Sequence, residues 1–163
     1  MTTDAEYLRR AILLAVDNVL AGAGGPFAAV VVRDGVIVGE GANSVTRTLD
    51  ATAHGEVNAI RDACRRLGDF LLRGCTLYSS CEPCPMCLSA CYWAQIDRVF
   101  FGATQEDAAA VGFGDEALYR QFSLPTDERS LPASGLLRVE AQVPFQTWLN
   151  SKLRVEYGAL PIS

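Results

Sequence analysis

Apolar residues recur at Leu8, Ile12, Ala15, Val16, Val19 and Leu20, the spacing of one helical face, behind Thr2 or Thr3 as a cap. Gly22 to Pro26 ends that helix. The run FAAVVVR (27–33) reads as a buried strand, and Asp34-Gly35 as the hairpin turn into a returning strand, VIVGEGAN (36–43). SVTRTLDAT (44–52) is a polar loop. His54 to Leu67 has helical periodicity, with Val57, Ile60, Ala63 and Cys64 on one face. CTLYSS (75–80) is a third strand. Residues 84–94 form a helix opened by Pro83, and DRVFFGA (97–103) a fourth strand. Short helices follow at 104–111 and 116–122, then a surface loop (124–135), a fifth strand (136–142) and a last helix (145–157). Strands alternating with helices predict one α/β domain over residues 1–163, with three α/β/α layers and a mixed five-stranded sheet.

Composition narrows what such a domain does. Half the residues are apolar and a fifth are charged, as in ordinary globular proteins. No apolar run is long enough to span a membrane, and MTTDAEYLRR lacks the pattern of a secretory signal, so the expected place is the cytoplasm. There the six cysteines stay reduced. The net charge is −5 and lysine occurs only at Lys152, which speaks against a nucleic-acid partner.

Three cysteines crowd into SSCEPCPMC (79–87): Cys81, Cys84 and Cys87. The single histidine, His54, stands in TAHGEVNAI with Glu56 two places on. Cys84 and Cys87 share one face at a helix start, where the partial positive charge favours thiolates. His54 opens another helix. Two thiolates and an imidazole suit zinc. Spacing alone leaves two sites open. With Cys81 as fourth ligand the zinc is closed and structural. With water in fourth place it is open and catalytic. A carboxylate beside the histidine has a use only in the second, where it carries a proton from the water.

His54-x-Glu56 followed roughly thirty residues later by Pro83-Cys84-x-x-Cys87 is the signature of zinc-dependent deaminases. The chain resembles the cytidine-deaminase-like superfamily. GGPFAAVVVRDG (24–35), GEGANSVT (39–46), TAHGEVNAIRDAC (52–64), YSSCEPCPMCLSACYWA (78–94), DAAAVGFGDEALYRQF (107–122) and PFQTWL (144–149) are similar to its guanine deaminase branch. The resemblance implies one zinc per subunit on His54, Cys84 and Cys87, which leaves Cys81 outside. It implies hydrolysis of guanine to xanthine and ammonia, with Glu56 as proton shuttle and Asp115 serving the departing amine. Asn43, Phe27, Trp93, Ala53, His54 and Tyr157 would bind the base. Tyr157 would come from the partner of a homodimer that exchanges its C-terminal segment, roughly 144–163. One residue departs from the family: Gly55 stands where alanine is common, and glycine costs a helix about 1 kcal/mol.

Two other readings compete. A guanosine deaminase, or a deaminase of another aminated heterocycle, uses the same chemistry in a different pocket. tRNA adenosine deaminases share the motif but need a basic surface, which this acidic chain lacks. A structural-zinc interaction module would need Cys81 as ligand and would have no use for Glu56.

Overall fold

In the computed structural model, which describes residues 3–157, Ala28–Arg33 forms strand β1 and turns back into β2 (Val36–Ala42). Asp34 and Gly35 have φ of 50° and 77°, the left-handed backbone that suits a two-residue hairpin. β3 (Cys75–Cys81) lies antiparallel along the other edge of β1, and β4 (Arg98–Ala103) runs parallel to β3. The sheet therefore has the order β2-β1-β3-β4.

Alternation along β1 sorts the core onto two faces. Val30 and Val32 meet Tyr7 of helix α1 (Asp4–Leu20) and Tyr78. Ala29 and Val31 join Leu77 with Ala59, Ile60 and Ala63 of a helix over Gly55–Leu67, and with Cys91 of another over Pro85–Trp93. This is the expected three-layer α/β/α arrangement. A short helix, α2 (Val45–Thr48), lies in the polar loop, so the two core helices are α3 and α4. α4 opens on Pro85 at its first turn, with Cys84 as N-cap. Pro83 stands before the helix and does not start it.

α1 is capped by Thr3 in a reciprocal box with Glu6; the alternative cap, Thr2, lies outside the described residues. Its buried face is Tyr7, Ala11, Ala15 and Asn18. Most of the apolar stripe read from the sequence points elsewhere: Ile12, Val16, Val19 and Leu20 are exposed, Leu20 by 80%. Small alanines let the helix lie close to the sheet, and two tyrosines fasten it. Tyr7 Oη donates to the Gly35 carbonyl and Tyr78 Oη to Asp4 Oδ1, each at 2.6 Å.

α3 lies closer still, and glycines make the room. A Cβ on Gly39 would come within 2.5 Å of the Ala59 carbonyl oxygen, and one on Gly41 within 2.2 Å of the Ala59 nitrogen. Gly55, at the first turn of α3, has the same reason: a Cβ there would meet Ala28 Cα at 2.7 Å. Its weak helix propensity is the cost of seating the helix start against β1.

The described residues fall into two units, 3–116 and 117–157. The first continues past β4 through α5 (Gln105–Ala110), capped by Thr104 in a box with Asp107. α6 (Glu116–Ser123) begins at the boundary, and α7 is Val143–Asn150. The predicted fifth strand does not form. Leu136 and Leu137 are irregular, Leu137 has φ of 55°, and Glu140–Gln142 is a 3-10 turn. A strand needs a neighbour for its backbone groups, and the second unit contains none among its described residues. The last helix also stops at Asn150 and not at Tyr157, where Ser151 turns extended. No residue from 117 to 157 is buried. None of the described helices is long and apolar enough to cross a membrane.

Gly41→Ala should lower the free energy of unfolding by at least about 2 kcal/mol, because the new methyl meets backbone that cannot yield. Gly114→Ala, whose Cβ would sit 3.7 Å from Ala109 Cβ, should be nearly neutral. Urea denaturation of both variants checks the pair.

Candidate metal centre

His54 is the N-cap of α3 and Cys84 the N-cap of α4, with Cys87 in that helix's first turn. Both helix starts therefore carry ligand-type side chains, in the positive end of each helix dipole. They converge. His54 Nδ1 is 3.6 Å from Cys84 Sγ and 3.4 Å from Cys87 Sγ. The three ligand atoms lie within 4.8 Å of one another, and no other described residue joins the group.

The protons on this cluster are shared. A hydrogen bond with Cys87, and then the His54 imidazole, hold Cys84 well below the usual thiol range. The bond to Cys84 and then burial push Cys87 the opposite way. The anionic sulfur of Cys84 raises His54. Deprotonated sulfur beside imidazole, half enclosed, is a donor set that fits zinc.

Cys81 does not belong to it. Its Sγ faces the Thr104 carbonyl at 3.5 Å. Burial pushes its thiol up to about 11, so it stays protonated. The closed four-ligand site has no fourth protein ligand among the described residues. Cys75 and Cys91 are buried in the core and Cys64 packs at its margin.

Glu56 stands in the first turn of α3 and is only 5% exposed. Its Oε1 accepts from Ser79 Oγ at 3.1 Å and its Oε2 lies 3.4 Å from Cys87 Sγ. Burial raises its pKa above the usual carboxylate range. The solvated first-turn glutamate that a helix dipole would favour is thus ruled out by position. Asp115 precedes α6; burial, then the Cys84 sulfur, raises its pKa too, so it also feels the cluster.

Asn43 is 8% exposed at the end of β2. Its Oδ1 accepts from the backbone of Gly25 at 3.2 Å and of Val45 at 3.3 Å. Two donors on one oxygen fix the amide so that its Nδ2–H₂ points away from them. Asn18 steadies the same loop by donating to the carbonyls of Gly25 and Asn43, both at 2.9 Å. Phe27 meets Phe113 edge to face, ring centres 5.0 Å apart. Ala53 is buried, and its carbonyl accepts from Ser44 N at 2.9 Å.

Trp93 is not gathered with these: it ends α4, 55% exposed, about 9 Å along the helix from Cys87. Tyr157 belongs to the second unit and is 74% exposed. Sequence reasoning overlooked Ser79, Asn18 and Phe113. Only Phe113 carried a signal, its place in the GFGD stretch.

Residues 1–103 match the family described as the cytidine and deoxycytidylate deaminase zinc-binding region. The chain is 50% identical to guanine deaminase of Bacillus subtilis over 151 residues, 93% of this chain and 97% of that protein. It is 41% identical to a tRNA-specific adenosine deaminase of Agrobacterium fabrum, over 78% of this chain and 82% of the other. The X-ray structure of the Bacillus subtilis guanine deaminase superposes with a TM-score of 0.93 at 48% identity, covering 97% of this chain and all of that one. A guanine deaminase from Nitrosomonas europaea gives 0.67 at 28% identity, over 71% of this chain and 67% of that one.

The separation of Cys81 from the cluster has a measurable consequence. Cys81→Ala should keep about one zinc per chain, whereas Cys84→Ser and Cys87→Ser should lose it. Metal analysis of the purified variants decides; loss of zinc from Cys81→Ala would reinstate the closed site.

Proposed function

The chain belongs to the cytidine and deoxycytidylate deaminase family, on its guanine deaminase branch, and we propose on that premise that it hydrolyses guanine to xanthine and ammonia. The observation that carries the reading is the meeting of His54, Cys84 and Cys87 around a buried glutamate that is not a ligand. The metal is zinc, and His54, Cys84 and Cys87 would hold it. When bound, zinc would supply the Lewis acidity that makes water a nucleophile near neutral pH.

The chain's own groups do the rest. Glu56 takes a proton from the attacking water and returns it to a ring nitrogen. Its raised pKa suits a group that must hold a proton and then give it up. Oxygen adds at C2; as the C2–N bond breaks, Asp115 delivers the proton with which the amine leaves as ammonia, and the added hydroxyl gives up its own proton to form the C2 carbonyl, which restores the proton Asp115 spent. Its pKa is also raised, so two carboxyls divide the two transfers. Asn43 presents its amide N–H to an acceptor on the base edge. Phe27, steadied by Phe113, offers a ring to the base face, and Ala53 with His54 forms the pocket floor.

Tyr157 enters the reading through a homodimer that exchanges the C-terminal segment. The end of that segment, 158–163, lies outside the described residues. Support comes from each unit taken alone. The second exposes Val139, Phe145, Leu149 and Tyr157 by 59–79%, and the first exposes the apolar stripe of α1. Apolar surface on that scale marks an interface. The reaction is one of the cytoplasm, on a free base and without nucleic acid.

Ammonia release from guanine, guanosine, cytosine, adenine and ammeline tests the substrate. Guanine should be preferred, and Glu56→Gln should bind zinc normally yet lose at least about a hundredfold in turnover. Preference for guanosine would retain the chemistry and replace the proposed base pocket. Light scattering should give twice the chain mass; a monomer with full activity would sink the exchange.

A further inference from the structure

We propose that Ser79 is the positioning residue of the proton-carrying glutamate: its hydroxyl turns the Glu56 carboxylate so that Oε2 faces the metal ligands. The proposal rests on the reading of Glu56 given above.

Ser79 sits on β3, paired with Ala29 on one side and Phe101 on the other. It is 1% exposed. A hydroxyl that deep is costly unless it is bonded, and its hydrogen bond goes to Glu56 Oε1 at 3.1 Å. The next residue, Ser80, projects from the opposite face and serves the backbone, where its Oγ accepts from Ala28 N at 3.0 Å. Adjacent serines thus have separate duties, and only the first reaches the carboxylate.

Glu56 needs such a partner. The last torsion of a glutamate is broad and roughly two-fold, so no rotamer well sets the plane of its oxygens. Its own backbone amide and Cys87 are the other donors near it. A cysteine that binds metal as thiolate has no proton to donate. That leaves Ser79 as the side-chain donor that can hold one oxygen while the other exchanges a proton. Its strand is bonded on both edges, so the hydroxyl is placed by the most rigid part of the fold.

The experiment compares the zinc-loaded wild type with Ser79→Ala, Ser79→Thr, Glu56→Gln and the Ser79→Ala/Glu56→Gln double variant. Ser79→Ala should lose about tenfold to a hundredfold in kcat, as expected for a hydrogen bond to a charged group, while KM and zinc content stay as in the wild type. Ser79→Thr keeps the hydroxyl and should recover most of kcat. In the Glu56→Gln background, Ser79→Ala should cause no further loss. The proposal is overturned if Ser79→Ala keeps kcat within about twofold of wild type. It is equally overturned if the loss comes with lost zinc, or if threonine fails to restore turnover. Should Glu56→Gln itself keep wild-type turnover, the reading of Glu56 falls and this proposal with it. An inactive Glu56→Gln beside an unimpaired Ser79→Ala removes this proposal alone.

Discussion

How closely α3 lies on the sheet decides where His54 stands, and three glycines set that distance. Gly39 and Gly41 admit the backbone of Ala59, and Gly55 admits β1 at the first turn. The imidazole is the N-cap of this helix, so any lift of α3 carries it away from Cys84 and Cys87, which another helix start supplies. A shift of a few tenths of an ångström matters little to a core and a great deal to three ligand atoms within 4.8 Å of one another. The packing of small residues in the core is therefore a condition of the chemistry.

Charge explains why the cluster is arranged as it is. Two thiolates would balance a divalent zinc, which would leave the Glu56 carboxylate as the net charge of the immediate site. Helix N-termini favour it by about 0.3–1 kcal/mol each, whereas burying a carboxylate costs several kcal/mol. Burial wins, which is why the glutamate's pKa rises although it stands at a helix start. A carboxyl in that balance exchanges protons readily, and one in water at a helix end would stay ionised.

The meeting of His54, Cys84 and Cys87 was legible because its information is local. His54-x-Glu56 and Cys84-x-x-Cys87 each occupy one helix start, and helix geometry does the rest. The hairpin at Asp34-Gly35 and four strands were legible for the same reason, as was a threonine cap on α1, which the structure places at Thr3. The features that were not legible depend on distant partners. Residues 136–142 have strand-like composition but no strand to pair with in their unit. The buried face of α1 follows from what the sheet admits, and Ala11 beat Ile12 because it is small. Gly55 looked like a weakened helix until β1 was seen against it. Ser79 is one serine among several until Glu56 lies 3.1 Å away.

The division of the chain has a physical logic. Proton transfer tolerates little misplacement, so its groups belong on elements that cannot drift. Glu56, Ser79 and the ligands stand on a sheet strand and on helix starts packed against it. Enclosing a base needs the reverse, because whatever covers it must withdraw for the product to leave. Taken alone, the second unit has no buried residue among those described and only short helices, hence little local stability of its own. Under the exchange proposed above, it would gain its order from a second copy, and turnover would be tied to assembly.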